Sequence, residues 1–398
     1  MFIKEKRYTM THYLFGALPA RLGDEMSSQA ILLTGLALTE GTVLGSTVLA
    51  ALTLSAAVGG PLLGAILDRS PHPGKVLAFA LGLYAAGIGY IGLSLGHVPF
   101  GVSLAIALMS GFLMPAISGG WSSRLKSFVA DEQMARASAI DATTFNIAGL
   151  AGPATAGLIA ALFGTHWVIV ILIMLLLIAL PMAWSLPKKA LLQSPGHNAS
   201  FIQDIIVGLK VIVYNKKLFR ITLTSIISYM SIGMLWVAYP LVGRSAFGNT
   251  GYGGLLASLV SVGALVATIA YVKWPTRYSP DKIAAITTVI LGVATLILTF
   301  TNNVLLTIII MLIIGIADGP QLAAIFTVRH REAPEQSRSQ VFTTGASLKI
   351  AAAAIGAVLA GRLAEVSVLF TILTASFIQF LAAMTFIFVT YKTRKTSR

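Results

Sequence analysis

The sequence predicts an all-α membrane protein of twelve transmembrane helices in two pseudo-symmetric six-helix bundles, with both termini cytoplasmic. Three observations predict it. The 398 residues are 56% hydrophobic and only 11% charged, with a mean hydropathy of +0.85, a balance that belongs to polytopic membrane chains rather than to soluble cores. Twelve apolar runs follow one another, at 12–38, 43–67, 76–95, 97–121, 138–163, 167–186, 220–243, 251–272, 283–301, 304–328, 341–363 and 367–391. Each is long enough to cross a bilayer, which takes about 20 residues. With the N-terminus inside, 24 of the 28 Lys and Arg fall in inside segments, leaving Arg244 and Arg362 near the other side and Arg21 and Lys349 within the membrane.

That distribution gives the net charge of +14 its meaning: it reports topology in a cell (inner or plasma) membrane, and nucleic acid is not an expected partner. The chain has no cysteine, so disulfides and thiolate metal sites are excluded. Six histidines stand singly at segment ends or in loops, so no metal site is expected. No Gly-rich phosphate loop precedes a soluble helix, and no cluster of polar groups gathers at one surface. An ATP-driven pump, a membrane enzyme and a resident cofactor are therefore not expected.

The first run follows Lys4-Glu5-Lys6-Arg7 and lacks a small-residue cleavage site, so it reads as an uncleaved span. Its middle carries Arg21, Asp24 and Glu25. A charge at that depth costs about 2.5 to 3.5 kcal/mol on insertion scales, and such charges face a protein interior or a wet cavity and mark pathways or proton sites. The second run ends Gly64-Ala65-Ile66-Leu67-Asp68-Arg69. Asp68 sits at a helix C-terminus, where the dipole disfavours an anion, so it needs a partner. Four of five tryptophans, Trp121, Trp167, Trp184 and Trp274, fall at span ends like an aromatic belt, and Trp236 sits about two turns inside the seventh span. The fifth run contains Gly149, Gly152-Pro153 and Gly157, spaced for close helix packing, with a proline that frees a carbonyl and bends the helix.

The one long inside loop separates a first bundle (1–186) from a second (220–398). Within this linker (187–219), residues 200–210 read as an amphipathic helix capped by Ser200 and lying along the inner surface. The halves repeat weakly. Gly152 to Gly157 corresponds to Gly356 to Gly361, and upstream Glu132-Gln133 and Arg136 correspond to Glu335-Gln336 and Arg338. Duplicated membrane halves place a binding site at their interface near the midplane.

The Gly60 to Arg69 segment, followed by Lys75, resembles the loop 2–3 signature of the major facilitator superfamily, and the 6+6 architecture extends that resemblance over the whole chain. The fifth run resembles the antiporter signature of its drug:proton antiporters and efflux permeases. The resemblance implies that Asp68 engages the start of the eleventh helix and a nearby arginine, with Arg124 and Arg136 as candidates, forming an inner gate with Gly64 and Arg69. Two departures stand out. Ser70 to Gly74 replaces the usual Gly-Arg cluster, and the loop 8–9 counterpart, Lys273 to Arg277, has lost its acid.

In-span charges sharpen the expected site. The third, sixth, ninth and twelfth spans carry none, and the ionisable residues fall at Arg21, Asp24, Glu25, Asp141, Asp318 and Lys349. Asp141 lies about one turn from the inner surface and reads as interfacial or as a partner of Arg136. At mid-depth, Arg21 and Lys349 face three acids, so one negative charge is in excess, and Asp24 or Glu25 is expected to bind a coupling proton in competition with Arg21. The bland alternative is a permanent structural ion-pair network. Adaptable apolar surface for a small-molecule substrate is expected from Tyr229, Met230, Met234, Trp236 and Tyr239, with Met26, Phe112 and Met114, although such stripes are more often packing. The expected function is export of small lipophilic compounds by proton antiport from a monomer embedded in membrane lipid. The alternatives are proton-coupled import of a sugar or organic acid and, less favoured, lipid transport.

Overall fold

In the computed structural model, residues 9–39, 43–188, 201–247, 252–273, 278–301 and 303–395 are described, and among them every regular element is helical. The helices are α1 (Met10–Thr39), α2 (Val43–Arg69), α3 (Pro73–Ser94), α4 (Phe100–Gly111), α5 (Trp121–Arg124), α6 (Met134–Phe163), α7 (Thr165–Trp184), α8 (Phe201–Tyr214), α9 (Lys216–Phe247), α10 (Tyr252–Lys273), α11 (Pro280–Thr299), α12 (Val304–Glu332), α13 (Arg338–Val366) and α14 (Val368–Lys395). Ten helical segments among the described residues are long and apolar enough to cross a membrane. The 30-residue helices α1 and α6 are not among them, and α1 concentrates Arg21, Asp24 and Glu25 in little more than one turn.

By contacts the chain forms two compact units. Unit 1 comprises Met1–Ala137, Ala151–Leu209 and Pro334–Ser347; unit 2 comprises Ser138–Leu150, Lys210–Ala333 and Leu348–Arg398. The sequential division expected at 187–219 differs from this grouping in two places, because α6 and α13 are each shared between units. Ser200 lies outside the described residues, and the amphipathic helix runs from Phe201 to Tyr214, with Ile206, Val207, Leu209, Val213 and Tyr214 exposed.

Unit 1 is cored by apolar residues of α1, α2, α3 and α7 around Trp121. Here one expectation is corrected. Trp121 is 0% exposed, edge-on to Tyr13 at 5.9 Å and packed over Gly16, so it is a core residue and not part of an interfacial belt. Trp167 and Trp184 are exposed, and Trp274 lies outside the described residues. The fourth apolar run is not one continuous α-helix. It breaks at Phe112, where a side chain on Gly59 would run into backbone, and then passes through a π-helical stretch, Ala116–Gly120, into α5. Such local widening is frequent at functional positions, and here it delivers Ser122, Ser123 and Arg124 to the unit interior.

Unit 2 is cored by α9, α10, α11, α12, α13 and α14. Small residues set its tightest approaches: a Cβ on Gly233 would strike the Ala353 backbone, and one on Gly356 the Met230 carbonyl. Those two contacts clamp α9 to α13 and bring Tyr229 beside Lys349.

Candidate functional site

In unit 1 the α1 charges are held by neighbours far away in sequence. Arg21 is 2% exposed, and its Nη2 donates to Ser122 Oγ at 3.1 Å. Asp24 Oδ1 accepts from the Tyr84 hydroxyl at 2.6 Å, and Ser27 joins the group, donating to the Asp24 carbonyl at 2.6 Å and lying 3.0 Å from the Tyr84 oxygen. Glu25 points elsewhere, as helical geometry requires of adjacent residues. Its Cβ would sit 2.6 Å from a Cβ built on Gly152, so the carboxylate helix passes directly over the Gly152-Pro153 step of α6. Gly157, by contrast, has open space where a Cβ would go. Close packing expected at both glycines is therefore found at Gly152 and not at Gly157.

The end of α2 meets the start of α13. The Ser339 and Gln340 backbone amides donate to Asp68 Oδ1 and Oδ2 at 3.1 and 2.8 Å. The first amides of a helix have no intrahelical acceptor, so Asp68 caps α13 from another helix and gains from its dipole what it loses at the end of α2. Arg124 Nη2 lies 3.8 Å from Asp68 Oδ1 and hydrogen-bonds the Ser339 hydroxyl, while Nε donates to Ser123 Oγ at 3.2 Å. Gly64 lets Gln340 and Thr343 approach, and Thr343 and Ser347 donate to the Gly60 and Ala56 carbonyls at 2.6 and 2.5 Å. Of the two candidate arginines, Arg124 stands at Asp68, whereas Arg136 and Arg69 are exposed.

In unit 2, Lys349 Nζ sits 3.6 Å above the Tyr229 ring. Asp318 and Tyr239 lie within one another's field, as do Asp318 and Lys349. Asp141 is fully buried within its unit. Unit 2 also buries a charge that its sequence position does not reveal: Arg329, expected among the inside surface residues, is 1% exposed. At the same end, Arg220 and Arg331 pair with Asp281, and Lys217 reaches Glu332 at 3.0 Å. Of the expected apolar contact residues, Met26, Met234 and Tyr239 are buried in the unit cores, which makes them packing residues in this structure. Trp236 and Phe112 are exposed, and Tyr229, Met230 and Met114 are half-buried.

A family model described as "Transmembrane secretion effector" matches residues 64–398. Over 243 residues the chain is 27% identical to the multidrug efflux pump Tap of Mycolicibacterium fortuitum, covering 58% of this chain and 56% of Tap, so the match spans about half of that relative's length. It is 22% identical over 305 residues to the multidrug resistance protein MdtG of Salmonella paratyphi C (strain RKS4594), covering 74% of this chain and 72% of that protein. Among solved structures, a single-site variant of the E. coli fucose:proton symporter FucP superposes with a TM-score of 0.76 at 11% identity, over 96% of this chain and 98% of that one. At that identity the likeness concerns the fold.

Proposed function

Because the chain belongs to the transmembrane secretion effector family of major facilitator transporters, multi-pass membrane proteins, we propose that it exports small lipophilic compounds in exchange for protons by alternating access. One observation carries this reading: Glu25, an in-membrane carboxylate one residue from Asp24, packs on Gly152 in the Gly-Pro step that resembles an antiporter signature. A proton-binding group seated on a bending helix ties protonation to helix movement. The efflux relatives support the export direction. In this reading α1 and α6 cross the membrane with the ten apolar segments, giving twelve spans, and Asp24 or Glu25 carries the proton while Arg21 competes for it. Asp68, Arg124 and the start of α13 close the inner gate. Exposed Trp236 and Phe112 offer apolar surface to cargo.

Proteoliposomes loaded with ethidium and given a pH gradient of either sign test it. Dye movement opposite to an imposed proton flux, abolished by Asp24→Asn or Glu25→Gln, is the expected result. Co-accumulation of a sugar or organic acid with protons would favour import instead, and full proton-coupled activity in both variants would refute the carboxylate assignment.

A further inference from the structure

Two arginines ahead of the repeated Glu-Gln turns meet different fates: Arg124 lies eight residues before Glu132, and Arg329 six before Glu335. Arg124 has Asp68, Ser123 and Ser339 as partners. Where α2 ends in Asp68-Arg69, the corresponding helix α10 ends in Lys273, with no acid. Arg329 is nevertheless buried, and among the described residues its Nε and Nη2 have no hydrogen-bond partner.

The surroundings deepen the imbalance. Arg329 lies in the field of Tyr229 and of a second cation, Lys349. Asp318 stands on the same face of α12, about three turns away, with its Oδ1 buried and unbonded, and among the described residues no ion pair joins it to either cation. His330 and Asp141 are buried in the same unit and have contacts of their own. A buried guanidinium beside a half-buried ammonium, with no contacting anion, is costly, and a two-oxygen anion fits both nitrogens of a guanidinium edge at once. About two turns from Tyr229, on the same face of α9, Trp236 is 56% exposed and offers an apolar surface beyond the cations.

We propose that Arg329 and Lys349 form an anion-binding site in unit 2, and that its ligand is the carboxylate or sulfonate of an amphiphilic cargo whose apolar body lies toward Trp236. The proposal rests on the exporter reading for the word cargo; the anion site itself does not depend on transport.

The test uses the full chain in nanodiscs and two dyes of one ring system, fluorescein with its free carboxylate and rhodamine 6G, an esterified cation, read by fluorescence polarisation. Wild type is expected to bind fluorescein, Arg329→Gln and Lys349→Gln to weaken it at least tenfold with rhodamine 6G unaffected, and Arg329→Lys to fall between. Arg329→Met is expected to unfold at a temperature no lower than wild type, since it removes an uncompensated charge. Equal fluorescein binding by wild type and Arg329→Gln, parallel loss of both dyes, or a lower unfolding temperature in Arg329→Met would overturn the site. Displacement of fluorescein by chloride alone would overturn the assignment to cargo. If Arg329-dependent fluorescein binding is present and neither ethidium nor fluorescein is moved in either direction, the exporter reading falls and the anion site stands; dye export with unchanged fluorescein binding in Arg329→Gln is the reverse result.

Discussion

Asp24 shows what a single residue can and cannot announce. Its cost inside an apolar run is visible in the sequence, but its hydrogen-bond donor is Tyr84 on α3, sixty positions away, and nothing in the spacing of α1 points there. A bond to a charged acceptor is worth about 1.5 to 3 kcal/mol. Tyr84→Phe is therefore expected to lower the unfolding temperature in detergent by several degrees, while Ser27→Ala, which leaves the Tyr84–Asp24 bond in place, has the smaller effect. Equal losses would remove the special weight given to the phenol. The burial of Arg329 is not legible in the sequence, for a physical reason. A basic residue within a turn of a span end looks the same whether it snorkels to the surface or turns inward, and only packing decides. Asp68 was legible because its helix-end position demanded a partner, and the resemblance pointed to where that partner lies.

At the level of elements, the repeat becomes mechanical. In α6 and α13 alike the first glycine of the pair is packed, Gly152 on Glu25 and Gly356 on Met230, and the second, Gly157 or Gly361, has open space. Gly152→Val is expected to cost about 1 to 3 kcal/mol of stability and to depress transport, because the neighbour is another helix. Gly157→Ala is expected to be neutral or to stabilise by about 0.5 to 1 kcal/mol through helix propensity alone. Thermal unfolding of the two variants side by side checks the pair, and a destabilised Gly157→Ala would show a packing partner at that face. Asp68→Asn keeps an acceptor for one amide of α13 but loses the charge facing Arg124. Loss of transport by about tenfold with little change in folding is expected, since hydrogen bonds to charged groups are the stronger ones. Retained transport would remove the gate from this contact.

For the whole molecule, hydropathy and the placement of basic residues carried the all-helical membrane fold, because burying backbone in lipid leaves few alternatives. They did not carry the grouping into units, which depends on residues 138–150 and 334–347 and therefore on contacts between distant segments. Orientation is open to a direct check. The chain has no cysteine, so single cysteines introduced at His97 and His166 should react with an impermeant maleimide from outside intact cells, and those at Lys75 and Lys188 only after permeabilisation. The opposite pattern would invert the topology.

The buried indole of Trp121 adds something practical. It is sealed by Tyr13 and Gly16, and the next residue, Ser122, accepts from the Arg21 guanidinium. Any cycle that moves that cation changes the electric field across the ring, and indole emission wavelength follows such fields. The transporter thus carries its own optical gauge at the charged centre of unit 1, readable in the unlabelled protein once the other four tryptophans are replaced by phenylalanine.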